Sequence, residues 1–339
     1  MPRANNGDPI LQVRDLSVGF HLGYGTVRAV DHLSFEVERG SMFGVVGESG
    51  SGKSVTALTT MGLLQSPPGR VDSGEILLDG EDLLKKSQEE MRRVRGKRVS
   101  MIYQDPMTSL NPVFRVGFQI EEALMAHEKV PRRQAEDKAI ELLAATGIPD
   151  PEKRVREFPH QFSGGMRQRI MIAMALVTDP VLLIADEPTT ALDVITQAQI
   201  LELLRSLQQK RRMSVMLITH DLGIVAQYCQ RVLVMYAGHG MELGTAEQVF
   251  DQPRHPYTVG LLGSMTRVDA DVERLNSIPG EIADLVHPPS GCRFHPRCYA
   301  AFERCRLEAP PLFPVEGGRA SKCWLEEGGR GGARPGGAP

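Results

Sequence analysis

The chain has 339 residues, which sets an expectation of about two domains. With 24% charged and 41% hydrophobic residues it reads as globular, and a net charge of −3 excludes a nucleic-acid binder driven by bulk electrostatics. No apolar run approaches the ~20 residues that span a bilayer, and the first residues, MPRANNGDPI, lack the apolar core of a signal peptide. A cytosolic chain is expected, with any membrane role carried by a partner.

In chain order, Ile10 to Phe20 alternates loosely and reads as a strand. Ala29 to Glu38 holds a clean period-two strand, Leu33-Ser34-Phe35-Glu36-Val37, stopped by Gly40. Phe20 and Tyr24 are aromatics that could stack on a base, or equally serve core and loop. Met42-Phe43-Gly44-Val45-Val46 is a short buried-strand run, followed by Gly47-Glu48-Ser49-Gly50-Ser51-Gly52-Lys53-Ser54 and a helical pattern from Val55. This is G-x-x-x-x-G-K-S in its strand–loop–helix setting, a phosphate loop. Its glycines allow a tight turn with N–H groups pointing inward, and the helix adds its positive end. Lys53 is placed for the β- and γ-phosphates and the Ser54 hydroxyl for Mg²⁺.

Gly74 to Gly80 reads as a strand, Leu83 to Arg98 as a charged helix and Val99 to Tyr103 as a strand. Gln104 follows at its carboxyl end, where a side chain can reach an ion in the crevice; by itself it reads first as a solvated loop residue. Arg115 to Gly147 is helical, closed by Gly147 and Pro149. Ser163-Gly164-Gly165 opens another helix, an ordinary cap or an anion site. Val181-Leu182-Leu183-Ile184-Ala185-Asp186-Glu187 is an apolar run ending in two acids, as a central parallel strand would be. Asp186 would hold Mg²⁺ and Glu187 would act as general base. Thr196 to Arg212 is amphipathic, with Ile200, Leu203, Leu204 and Leu207 on one face. Ser214 to Thr219 is a buried strand closed by His220, at the same expected sheet edge as Asp186 and Glu187. Arg231 to Tyr236 is a further strand with Ala237-Gly238 as its turn. Beyond Gly244 prolines multiply, and a small appended region with little core of its own is expected. From Glu326 the low-complexity tail should be disordered.

Together these motifs resemble the ATP-binding subunit of an ABC transporter, from about Leu11 to Trp324. The phosphate loop stands as Walker A, Gln104 as the Q-loop, Phe162-Ser163-Gly164-Gly165-Met166 as the signature, Asp186-Glu187 as the end of Walker B, Ala191-Leu192-Asp193 as the D-loop and His220 as the switch. The stretches Tyr103 to Pro112, Pro188 to Val194, His255-Pro256-Tyr257-Thr258, Ile278-Pro279-Gly280 and Pro288 to Cys292 resemble the oligopeptide/dipeptide importer branch. The resemblance implies an α/β P-loop NTPase of ABC ATPase type, with a RecA-like core, an antiparallel β subdomain and a helical signature subdomain. It implies an ATPase domain over 9–250, a C-terminal extension stapled by a metal or cluster over 251–325, and a tail over 326–339. It implies catalytic roles for Glu187 and His220. ATP would be bound by Phe20 (preferred to Tyr24 on this ground), Gly47, Glu48, Ser49, Gly50, Ser51, Gly52, Lys53, Ser54, Gln104, Ser163, Gly164, Gly165 and Asp193. Ser54, Gln104 and Asp186 would hold Mg²⁺. The implied partners are a second ATPase subunit (generally a paralogue), two transmembrane permease subunits and an extracytoplasmic substrate-binding protein, with the chain peripheral on the cytoplasmic face of the membrane. Two rivals, an ABC ATPase acting on nucleic acid or ribosomes and a non-hydrolysing regulator, are disfavoured by the single cassette without long heptads and by Glu187 and His220.

Five cysteines are present. Cys229 reads as a buried small hydrophobe. Cys292, Cys298, Cys305 and Cys323 crowd the C-terminal region, where a reducing compartment disfavours disulfides. Their spacing is wider than that of usual zinc pairs, while a [4Fe–4S] cluster takes four thiolates at varied spacing. Zinc remains the alternative. The region resembles that of family members that carry such a cluster.

Overall fold

The structure, a computed structural model, describes residues 8–104, 109–190, 192–264 and 278–329. Twelve strands are named among them: β1 Leu11–Leu22, β2 Gly25–Val37, β3 Met42–Val46, β4 Gly69–Leu78, β5 Glu81–Asp82, β6 Val99–Ile102, β7 Leu182–Asp186, β8 Ser214–Thr219, β9 Arg231–Tyr236, β10 His239–Thr245, β11 Phe313–Val315 and β12 Arg319–Ser321. Internal contacts divide the chain into two compact units. One comprises Met1–Ile10, Val37–Ser41 and Lys85–Ile218; the other comprises Leu11–Glu36, Met42–Leu84 and Thr219–Pro339.

The first unit is built on β6, β7 and β8 in parallel, with Val99 opposite Leu182 and Leu182 opposite Ser214. Every residue of β7 and β8 is buried, as strands covered on both faces must be. Helices Val116–Met125, Arg132–Ala145, Gly164–Ala175 and Val194–Arg211 belong to this unit. The last of them buries Ile200, Leu201, Leu204 and Leu207, the expected stripe with Leu201 in place of Leu203, which is half-buried. The helix expected over 83–98 is confined to Gln88–Val94. It starts there because Ser87 and Glu90 form a reciprocal capping box. It cannot continue because Arg95 is extended and Gly96 takes a φ of 74°.

The second unit carries an antiparallel sheet in the order β2-β1-β4-β5, with Leu11 paired to Leu78 and Phe20 to Gly69. Its other strands run β11-β12-β10-β9-β3. Here β3 lies parallel to β9, while β9–β10, β10–β12 and β12–β11 are antiparallel. The expected Ala237-Gly238 turn joins β9 to β10 at φ of 47° and 84°.

The C-terminal region, expected to have little core of its own, adds to a core shared with the rest of this unit. β11 and β12 extend the sheet that holds β3, and Phe294 is buried against Tyr236 and Tyr257, with centroids 5.2 Å from each. Proline blocks long elements there, but three-residue strands and aromatic packing need none. Residues on both sides of the expected boundary near 250 therefore share one unit. Of the tail expected to be disordered from Glu326, Glu326 is buried in a short turn that begins at Trp324, Glu327 and Gly328 leave helical geometry, and 330–339 lie outside the described residues.

A buried polar group links the two ends of this unit. Arg293 Nη2 donates to Asp31 Oδ2 at 2.5 Å, and His239 Nε2 lies 3.2 Å from the same oxygen. The hydrogen bond from His239, with Arg293 beside it, holds the Asp31 carboxyl well below the usual carboxylate range. Burial pushes His239 down to about 4, so its ring is neutral and donates its Nε2 proton to Asp31.

Candidate nucleotide site

The loop between β3 and helix Lys53–Thr60 is shaped by two glycines that tolerate no side chain. At Gly47, φ is 152° and a Cβ would fall 2.0 Å from the Met235 carbonyl oxygen. At Gly52, φ is 102° and a Cβ would fall 2.4 Å from the Ala29 carbonyl oxygen. Only glycine fits either position. The Lys53 side chain is buried and spans the loop, its Nζ donating to Gly47 O at 2.7 Å, Glu48 O at 2.9 Å and Ser51 Oγ at 3.3 Å. A cation thus sits inside a ring of backbone, with Ser49, Gly50 and Ser54 exposed around it. Such a loop with its lysine is an anion cradle. Phe20 is half-buried at the end of β1, while Tyr24 is 74% exposed. His220 is exposed directly after β8. Phe20, His220 and the loop all belong to the second unit.

The first unit gathers the acidic residues. Asp186, the last residue of β7, is buried. Glu187 follows with a φ of 46°, a left-handed conformation that a glutamate seldom adopts and that recurs at functional sites. Its N–H donates to Ile218 O at 2.8 Å, which anchors the turn to β8. Its Oε2 accepts from Gln104 Nε2 at 2.9 Å and from Thr190 Oγ1 at 2.9 Å. Gln104 and Thr190 thus help to orient the carboxylate, as a base that must take a proton from a positioned water requires. The sequence reading assigned Gln104 to the metal; here its amide also orients Glu187. Thr190 was not singled out by the sequence. A hydroxyl three residues beyond the acid in a tight turn was the available signal.

In the same unit Ser163 caps helix Gly164–Ala175, its Oγ accepting from Met166 N at 3.4 Å. Gly164 is exposed, and a Cβ on Gly165 would fall 2.6 Å from Thr196 Cγ2. Asp193 caps helix Val194–Arg211 by accepting from Thr196 N at 2.9 Å and Thr196 Oγ1 at 2.8 Å. Gly165 and Asp193 are thus both set against Thr196. Asp105 to Thr108 and Ala191 lie outside the described residues.

All four C-terminal cysteines line one cavity, together with Phe294 and Trp324. Burial pushes the Cys298 and Cys323 thiols up to about 12. As the side chains stand, no group of three or more His, Cys, Asp or Glu among the described residues could hold a metal ion, so a stapled extension is not established by this geometry. Cys229 is buried near β9, as expected of a small hydrophobe, with its thiol also at about 12.

Among the described residues no helix is long and apolar enough to cross a membrane. The family model for ABC transporters matches residues 30–190, and that for the C-terminal region of oligopeptide/dipeptide transporters matches residues 241–305. The chain is 52% identical over 317 residues to the oligopeptide transport ATP-binding protein OppD of Bacillus subtilis, covering 93% of this chain and 88% of that one. It is 50% identical over 323 residues to the dipeptide transport ATP-binding protein DppD of Escherichia coli, covering 95% and 98%. Among solved structures, the dimeric post-hydrolysis state of the ATP-binding cassette MJ0796 bound to ADP and Pi matches with a TM-score of 0.62 over 70% of this chain and 98% of that one. At 22% identity that likeness bears on the fold alone, an ABC ATPase cassette. Two family models in order and about half of all residues shared along nearly the whole length place the chain in the family of ATP-binding subunits of oligopeptide/dipeptide-type ABC transporters.

Proposed function

We propose that this chain is the ATP-hydrolysing subunit that energises import of peptides or peptide-like solutes by a multisubunit ABC transporter, held peripherally on the cytoplasmic face of the membrane by two permease subunits. A second ATPase subunit and an extracytoplasmic substrate-binding protein complete the proposed assembly. The observation that carries the hydrolytic reading is Glu187, strained into the left-handed region and oriented by Gln104 and Thr190. The kinship to OppD and DppD carries the peptide reading.

In this mechanism the backbone N–H groups of Gly47–Ser54 and the Lys53 ammonium take up the charge of the β- and γ-phosphates, and positioning with charge stabilisation is most of what phosphoryl transfer requires. Phe20 stacks on the adenine. Ser54, Asp186 and Gln104 are the residues that would hold Mg²⁺, which supplies further neutralisation of phosphate charge. Glu187 accepts the proton of the attacking water, and His220 stands at the γ-phosphate side. Ser163, Gly164 and Gly165 complete the site of the second ATPase, with Asp193 beside them. ATP hydrolysis by the purified chain alone is therefore expected to be slow, and to rise when the permease pair and second ATPase are reconstituted in lipid. High activity of the isolated monomer, independent of its concentration, would refute the shared site. Stimulation by DNA or ribosomes rather than by permease would refute the transport reading.

The four cysteines are proposed to hold a [4Fe–4S] cluster that staples the C-terminal region, with Zn²⁺ as the alternative. Support comes from Cys292, Cys298, Cys305 and Cys323 lining one cavity, four cysteines being the number that such a cluster takes. Protein purified anaerobically is expected to be coloured, with iron and acid-labile sulfide in equal amounts. A colourless protein with stoichiometric zinc would select the alternative.

A further inference from the structure

A carboxylate inside a phosphate-binding loop opposes its ligand, because like charges a few ångströms apart repel strongly away from bulk water. Glu48, the second residue of the loop, is such a carboxylate. Its side chain is clasped by Arg297, with Nη1 to Oε2 at 2.6 Å and Nη2 to Oε1 at 3.0 Å. This is the two-pronged pairing that a guanidinium makes and an ammonium cannot. Arg297 comes from the C-terminal region, 249 residues away and directly before Cys298. It is fixed from several sides: Nε donates to Pro279 O at 3.1 Å, Nη2 to Ile278 O at 3.3 Å and Nη1 to Tyr236 Oη at 3.4 Å. Its Cζ lies 5.6 Å from the centroid of the Tyr236 ring, and its side chain is only 5% exposed. The loop is tied a second time to the same aromatic group, since Glu48 N–H donates to Tyr257 Oη at 3.0 Å.

We propose that Arg297 is a positioning residue for nucleotide binding, cancelling the charge of Glu48 and holding that carboxylate so that the loop N–H groups and Lys53 meet the polyphosphate unopposed. The inference rests on the reading that Gly47–Ser54 binds ATP. It makes the C-terminal region part of the machinery that sets ATP affinity.

The test is titration of the full-length chain with a fluorescent ATP analogue. Tight binding by the wild type and its loss in K53A check the ATP reading separately, and failure there removes both. With that in place, R297M should weaken binding about tenfold, the cost of freeing a charged group from its charged partner. The deficit should shrink as salt screens the exposed carboxylate. R297K, which keeps the charge but loses the two-pronged pairing, should fall between wild type and R297M. Adding E48Q to R297M should restore most of the lost affinity. Wild-type affinity in R297M overturns the proposal. So does a deficit that neither salt nor E48Q relieves, which would leave Arg297 a brace of the fold only. If R297M does not fold, R297Q decides by the same titration: a deficit that shrinks as salt rises is expected, and wild-type affinity or a salt-independent deficit is contrary.

Discussion

Glu187→Gln is expected to bind ATP with wild-type affinity and to hydrolyse it about 10²–10⁴-fold more slowly, the span that a positioned general base contributes. The amide can still occupy the space between Gln104 and Thr190, whose donors lie 2.9 Å from Oε2. It cannot take a proton from water. Single-turnover hydrolysis in the reconstituted assembly, beside equilibrium ATP binding, separates the two effects. Wild-type turnover at both sites of an assembly carrying only the mutant would show that Glu187 is not the base. A parallel loss of binding would show that its left-handed turn, with φ at 46°, needs the carboxylate to hold its shape.

Arg319→Ala is expected to destabilise the fold by about 3–5 kcal/mol, because it strands a buried charge. Glu242 in β10 has a 1% exposed side chain, and its carboxylate accepts Arg319 Nη2 at 3.1 Å and the N–H groups of Arg254 and His255 at 2.9 Å each. Burial raises its pKa, opposed by these hydrogen bonds. Without Arg319, the N–H groups of Arg254 and His255 are left to hold a carboxylate removed from water. Denaturant titration of the full chain measures the loss. The double variant E242Q with R319M should recover much of it, since removing both charges removes the desolvation penalty. A loss below about 1 kcal/mol for R319A would show that the pair is solvated in solution.

The sequence was most informative where chemistry depends on neighbours along the chain. The loop from Gly47 to Ser54 was legible because glycine, lysine and serine stand at fixed offsets after an apolar run, and β3 and β8 fall where the run lengths predict. β7 was legible for the same reason, with Asp186 and Glu187 at its end. The helix over 83–98 was overextended because its charge pattern continues past the box at Ser87 and Glu90 and the stop at Gly96. β11 and β12 escaped because each is only three residues long and β12 pairs with the distant β10. The same holds for Arg297. Nothing within a helical turn or strand register announces that it meets Glu48, although an acid in a phosphate loop is itself a sign that a cation is needed.

Those long spans bear on how the protein is made. Synthesis delivers the N-terminus first, and contacts of large sequence separation close late. Asp31 waits for Arg293, 262 residues on, and Glu48 waits for Arg297, 249 residues on. β10 acquires its outer neighbour only with Arg319–Ser321. A nascent chain therefore carries its phosphate loop through most of translation without the clasp that completes it. A ribosome that stops short of residue 297 releases a chain whose Glu48 has lost its arginine, and one that stops before 319 leaves β10 as an open strand edge, the kind of surface that recruits other chains. Premature termination near the 3′ end of the message, which removes no ATP motif at all, thus still takes away the partner of Glu48 and the strand beside β10.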